Sequence, residues 1–291
     1  MDNFDSKEWT VSSVLDWTSD YFNRSKVNEA RLESEILLAK VMNCNRLALN
    51  LQKDKILSAK HLSSYKAYIL QRKTRKPIAY ILGEQEFMGL NFLVDTSTLI
   101  PRPETEILVE EAMNRVKGKK LMIEVGTGSG NISVSIAKLS QLPKIYATDI
   151  SLDALKVAQE NVFRHGVAAK IVLKHGDLFK AIEGDGLAGK ADIIVSNPPY
   201  IARNEFASLE PELKFEPQHA LDGGEDGLDF YRSLAKDSKK YLKPGGFISV
   251  EMNSGKSMNI RDIFETTGYA IEAMIKDYAG LDRVLTARLA N

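Results

Sequence analysis

From Lys119 onward the chain repeats one pattern, a short apolar run followed by a turn and a helical stretch, and this constrains the fold more than any other feature. The apolar runs are Leu121–Val125, Lys144–Ile150, Ala169–His175, Ala191–Ser196 and Phe247–Glu251. Helical spacing between them predicts helices over Ile132–Leu139, Leu152–His165, Asp226–Leu242 and Met258–Thr267. Pro244-Gly245-Gly246 should stop the third of these. Tyr269–Asp277 and Arg283–Leu289 read as two closing strands around Ala279-Gly280. Strands alternating with helices predict an α/β fold, with a parallel sheet covered on both faces.

Upstream the character differs. Residues 1–82 read as helical. Ala30–Met42 carries Leu32, Ile36, Leu37, Ala39 and Val41 near one stripe, and Leu57–Ile69 carries Leu62, Tyr65, Tyr68 and Ile69. Pro77 should end the helix before it. Glu86–Val94 sets short apolar stretches around a glycine and an asparagine, which predicts a β-hairpin. Pro101-Arg102-Pro103 then stiffens the entry to a helix that has Glu104 and Glu106 in its first turn and runs to about Val116. The 291 residues thus divide into a helical domain (1–82), a hairpin linker (83–100) and an α/β domain (101–291).

Composition removes several functions. Cys44 is the only cysteine, so an internal disulfide and a Cys-rich metal site are excluded. His61, His165, His175 and His219 show no ligand spacing, and no metal is expected. No apolar run approaches the ~20 residues of a membrane span. The acidic start, Met1-Asp2-Asn3-Phe4-Asp5, lacks the order of a signal peptide. The expectation is a cytoplasmic monomer with no membrane partner. Its 39 basic and 39 acidic side chains cancel. A dedicated nucleic-acid binder carries a basic excess, so no direct nucleic-acid contact is expected. The one basic run, Arg72-Lys73-Thr74-Arg75-Lys76, reads as a solvated helix end.

The first strand of the repeating pattern leads into Gly126-Thr127-Gly128-Ser129-Gly130, which opens a helix. Glycine permits a tight turn and close backbone approach to a ligand. The later glycine of the dinucleotide fingerprint is missing, and no Gly-Lys-Ser/Thr ending marks a P-loop. The second strand ends in Asp149, 23 residues after Gly126, and the third in Asp177-Leu178. A carboxylate at 149 can accept from both ribose hydroxyls of an adenosine ligand, and Asp177 can accept from the adenine amino group. Leu178 would add backbone and apolar contact. Adenosine binding follows, with NAD an alternative from these features alone.

The fourth strand ends in Asn197-Pro198-Pro199-Tyr200. Two prolines leave little backbone freedom and no N–H, but their carbonyls are acceptors. An –NH2 group with two donors fits between the Asn197 side-chain oxygen and a loop carbonyl, that of Pro198, with the Tyr200 ring against its flat face. A conjugated –NH2 is a poor nucleophile. Two accepted hydrogen bonds hold it and favour charge developing on nitrogen as a methyl group arrives. An activated sulfonium methyl then needs neither metal nor strong base.

This loop is shared by amino-methyltransferases acting on adenine, cytosine or glutamine amides. The rest of the chain resembles one branch, the release-factor glutamine methyltransferases of the HemK/PrmC family. The resemblance runs through Arg31–Leu38, Lys76–Gly83, Glu86–Leu90, Leu99–Glu106, the glycine loop, Glu216-Pro217, Ala220-Leu221, Gly223-Gly224, Asp226–Leu228, Tyr231 and Asp277–Val284. It implies a Rossmann-like class I methyltransferase sheet, mostly parallel with an antiparallel C-terminal strand. It also implies transfer of methyl from S-adenosyl-L-methionine to the glutamine amide of the Gly-Gly-Gln tripeptide in peptide chain release factors. The products are N5-methylglutamine and S-adenosyl-L-homocysteine. Gly126, Thr127, Gly128, Ser129, Gly130, Asp149, Asp177, Leu178 and Asn197 would bind the cofactor. Asn197, Pro198, Pro199 and Tyr200 would bind the target, and the helical domain would grip the release factor. Glu124, Met252 and Leu178 stand where Asp, Ile and an aromatic residue are commoner. A nucleic-acid adenine methyltransferase would share the loop but should carry a basic groove and flip its base from a duplex. A non-catalytic adenosine-binding protein would not need Asn197.

Overall fold

The computed structural model describes residues 8–289, so the acidic segment Met1–Asp5 lies outside the described residues. The chain forms two compact units, 1–83 and 84–291. The first contains α1 (Val11–Arg24), α2 (Ala30–Met42), α3 (Arg46–Leu51), α4 (Ala59–Lys73) and α5 (Ile78–Leu82). Side-chain caps start three of them: Thr10 accepts from the Ser13 N–H, Asn45 from Ala48 and Ser58 from His61. Phe22, Leu37, Leu38, Tyr65 and Ile69 fill the core between the helices. The Tyr65 hydroxyl donates to the Ser34 carbonyl at 3.0 Å, which satisfies the polar end of a buried ring. The helix before Pro77 already ends at Lys73, and Pro77 instead leads into α5. The basic run differs from its reading as a solvated end. Arg72 is buried and donates to the Glu33 carboxylate on α2, and Arg75 donates to the Lys26 carbonyl at 2.6 Å. The Glu33 counter-charge draws Arg72 inward, while Lys73 and Thr74 stay exposed.

The second unit opens with a hairpin of β1 (Glu84–Phe87) and β2 (Leu90–Leu93). Its two turn residues, Met88 and Gly89, have φ of 52° and 70°, the left-handed pair that a two-residue hairpin turn requires. Then follow α6 (Pro103–Arg115), β3 (Leu121–Val125), α7 (Asn131–Leu139), β4 (Lys144–Asp149), α8 (Leu152–Arg164), β5 (Ile171–His175) and β6 (Ala191–Ser196). The unit closes with α9 (Asp229–Asp237), β7 (Leu242–Glu251), α10 (Ser257–Thr266), β8 (Tyr269–Lys276) and β9 (Asp282–Leu289). The sheet order is β5-β4-β3-β6-β7-β9-β8. β9 pairs antiparallel with both neighbours, so β8 runs with the others and β9 alone is reversed.

Successive strand residues serve opposite layers, as a two-sided sheet demands. Met122 and Ile193 join one core with Leu108 and Ile136, while Ile123 and Ile194 join the other with Tyr231 and Phe264. After β3 the chain moves outward to β4 and β5, then returns to lay β6 on the opposite side of β3. That reversal opens a crevice at the carboxyl ends of the strands.

One predicted element is shorter than expected. The helix over Asp226–Leu242 is α9 followed by a 3-10 turn at Ser238–Lys240, and Leu242 already belongs to β7. Pro244-Gly245-Gly246 lies inside that strand. Ala191 pairs with Leu242 and Ile193 with Phe247, so Lys243–Gly246 bulge out of register. Asp192 occupies the gap, accepting from the Lys120 and Leu121 N–H groups and pairing with Lys243. No helix among the described residues is long and apolar enough to cross a membrane.

Candidate active site

A cleft of about 1050 Å³, open mouth included, lies at the carboxyl ends of β3, β4, β5 and β6. The glycine loop forms its floor. Gly126, Gly128 and Gly130 have φ of 75°, 54° and 79°, where a side chain would be strained. The Gly126 and Thr127 N–H groups both donate to the Thr148 carbonyl at 2.9 Å, which pins the loop to β4. Gly126, Thr127, Gly128 and Ser129 line the cleft. Gly130 is not part of the lining: it caps α7, and a Cβ there would stand 3.3 Å from that of Ala158.

Asp149 and Asp177 both reach the wall from consecutive strand ends. Asp149 is 8% exposed and accepts one backbone N–H on each oxygen, Gly128 at 2.8 Å and Ser151 at 2.9 Å. Each oxygen keeps acceptor capacity for a diol. Asp177 is half-exposed and pairs with Lys180 at 2.8 Å. Leu178 lies beside it at φ 49°, and Ile132, Ile150 and Ala154 complete an apolar wall. Two carboxylates that could accept from a ribose and a base, an apolar wall and a glycine-rich loop together fit a nucleoside cofactor. Among the described residues no cluster of three or more His, Cys, Asp or Glu is placed to hold a metal.

Asn197, Pro198 and Pro199 form the opposite wall. The Ser196 hydroxyl donates to the Val125 carbonyl at 2.7 Å and ties the loop to the end of β3. Asn197 Nδ2 donates to Thr105 Oγ1 at 3.1 Å, and Thr105 Oγ1 donates to Glu251 Oε2 at 2.6 Å. Glu251 is buried, which lifts its pKa to about 7. Tyr200 is not among the residues lining the cleft. It packs against the core layer of Tyr231 and Phe264, where burial and then the Glu251 charge push its pKa up to about 12. The strand-like pairing of Ile201 with Asp222 lays Gly223 over it, so closely that a Cβ at 223 would come within 2.8 Å of the Tyr200 Cα.

Several lining residues were not predicted. Arg102 and Thr105 come from the entry and first turn of α6, and Ser97, Thr98 and Leu99 precede them. His219, Ala220 and Phe230 arrive from the segment after β6. Arg102 ion-pairs with Glu216, which also accepts the Ile100 N–H at 3.1 Å, so the two cleft-edge segments are fastened together. The Pro101–Glu106 and Glu216-Pro217 motifs were visible as sequence, but nothing local said that they meet.

Comparison with known proteins finds relatives along most of the chain. The family model described as the PrmC N-terminal domain matches residues 13–83, and that of the methyltransferase small domain matches 103–213. The chain is 40% identical over 282 residues to a release factor glutamine methyltransferase of Geobacter sulfurreducens, covering 97% of each. It is 40% identical over 279 residues to one of Clostridium acetobutylicum, covering 94% of each. Among solved structures, a methyltransferase from Pyrococcus furiosus shares the fold with a TM-score of 0.53 at 20% identity, covering 79% of this chain and all of that one.

Proposed function

The chain belongs to the release factor glutamine methyltransferase family, and we propose that its cleft transfers a methyl group from S-adenosyl-L-methionine to the side-chain amide of a release-factor glutamine. The observation that carries this reading is the Asn197 amide, held by its nitrogen end at the wall of a nucleoside-shaped cleft. S-adenosyl-L-methionine supplies, when bound, a methyl group on a sulfonium sulfur that is already activated for transfer. Asp149 accepts from the ribose hydroxyls and Asp177 from the adenine amino group, while Leu178 contacts the purine. The glycine loop admits the charged tail.

Asn197 Oδ1 and the Pro198 carbonyl accept the two N–H bonds of the target amide. Those bonds orient its nitrogen and favour the positive charge that develops there. The surplus proton leaves to water, so no strong base is required. Pro199 stiffens the loop, and Tyr200 packs against the core beneath it. The target is the glutamine of Gly-Gly-Gln, the product N5-methylglutamine, and the second product S-adenosyl-L-homocysteine. The enzyme works as a cytoplasmic monomer without direct nucleic-acid contact, in keeping with its zero net charge.

The test is incubation with labelled S-adenosyl-L-methionine and, separately, a release factor, DNA and RNA. Label is expected on the release factor. Label on nucleic acid alone would overturn the reading, and no label anywhere would make the protein a binding module. Asn197→Ala is expected to lose about 100-fold or more in turnover while cofactor affinity survives.

A further inference from the structure

Behind Asn197 lies a relay of two side chains that the reaction as derived so far does not use. Thr105 stands in the first turn of α6 and Glu251 at the end of β7; they are 2% and 3% exposed. A threonine hydroxyl has one hydrogen. At 2.6 Å that hydrogen goes to Glu251 Oε2, and the remaining lone pairs face Asn197 Nδ2 at 3.1 Å. A side-chain amide can be turned half a revolution with almost no change of shape. Turned that way, Asn197 would set its oxygen against a hydroxyl that has no hydrogen left to give.

We infer that Thr105 and Glu251 are positioning residues: the negative charge on Glu251 sets the direction of the relay, and so decides that Asn197 shows its oxygen to the target nitrogen. The identity of that target rests on the function proposed above. An ionised Glu251 can only accept, so the bonds run from Asn197 to Thr105 to Glu251. A protonated Glu251 can donate to Thr105 Oγ1. The threonine hydrogen is then free to point at Asn197, and an amide turned with Nδ2 toward the cleft is equally well satisfied. That arrangement meets the N–H donors of the target with more donors.

The groups around Glu251 come from every element packed on it. They are Thr105, Glu104 and Arg102 of α6 and its entry, Arg283 of β9, Tyr200 of the loop and Tyr231 of α9. The Tyr231 hydroxyl donates to the Glu251 backbone carbonyl at 2.9 Å. Burial is the largest influence and Glu104 adds to it; the Thr105 hydrogen bond, Arg283 and Arg102 oppose. The resulting value of about 7 puts the reversal near neutral pH.

The test uses the full-length enzyme, a release factor and the pH profile of turnover. Wild-type turnover is expected to fall as pH drops through about 7. Glu251→Gln should lower kcat about tenfold or more and abolish that acid limb. Thr105→Val should show a similar kcat loss with cofactor affinity intact, and Thr105→Ser should recover activity to within about threefold. A second readout needs no methyl acceptor. The side-chain amide NMR signal of Asn197, assigned by its absence in Asn197→Ala, should titrate with a midpoint near 7 in the wild type and not in Thr105→Val. A Thr105→Val enzyme with wild-type turnover and pH profile, or an Asn197 signal that titrates alike in both, would overturn the relay. Wild-type enzyme inactive on the release factor, with the NMR response present, would overturn the choice of target and leave the relay standing.

Discussion

Glu124 is the penultimate residue of β3, just before the glycine loop, and is fully buried. The hydroxyls of Thr127 and Ser133 both donate to its Oε2, while Oε1 has no partner among the described residues. Burial lifts its pKa from the model-peptide 4.5 to about 7, and the nearby Asp149 charge adds to the rise. The folded value therefore lies above the unfolded one. The native state holds a proton that the unfolded chain releases, and the associated stability is lost as pH rises from 4.5 through about 7. The scale is about 3 kcal/mol. Glu124→Gln should remove that share, so denaturant unfolding at pH 5 and pH 8 should differ less in the variant than in the wild type. An unchanged pH dependence would show that Glu124 is ionised in the native state at both. Glu124 was readable as the acid that leads into a glycine loop. Its partner Ser133 was not, because that hydroxyl reaches it only once α7 has started.

At the scale of elements, Asn161 joins three of them. It lies on α8 and is fully buried. Its Nδ2 donates to the Leu93 and Ser129 carbonyls, both at 2.9 Å, and its Oδ1 accepts the Leu93 N–H at 2.8 Å. One amide thus fastens the end of the hairpin to the glycine loop. Asn161→Leu would leave that N–H and two carbonyls unpaired, at a cost of about 3 kcal/mol. The expected outcome is a Tm lower by several degrees together with weaker cofactor binding. Weaker binding with an unchanged Tm would mean that the residue acts on the cofactor directly. Helix and strand positions in the α/β unit were legible from apolar periodicity, whereas α1, α3 and α5 of the helical unit were not placed individually. Within the α/β unit the end of α9 misleads, because Pro244-Gly245-Gly246 mimics a helix stop. What assigns those residues to β7 is pairing with β6 across Asp192, a contact between residues some 50 positions apart.

At the scale of the whole molecule, the cleft is lined by the 84–291 unit, and the helical unit has another kind of surface. Leu47 and Leu51, four apart on α3, are 69% and 80% exposed, and Ile56 nearby is 56% exposed. Exposed apolar side chains on one short helix make this face the one to test for a contact with the release factor. Leu47→Glu with Leu51→Glu is expected to raise KM for the release factor about tenfold while kcat and cofactor affinity hold. An unchanged KM would clear this face of any part in substrate capture. Local order in the sequence determined the alternating layers, the glycine turn, the two acidic strand ends and the Asn-Pro-Pro loop, since each depends on neighbours within a few residues. The tertiary structure alone decided that Tyr200 packs against the core, that Arg72 is drawn inside, and that Thr105 and Glu251 stand behind Asn197. Those outcomes depend on which distant segments the sheet brings together: Glu251 reaches Thr105 across 146 positions of chain, and no local pattern encodes that distance.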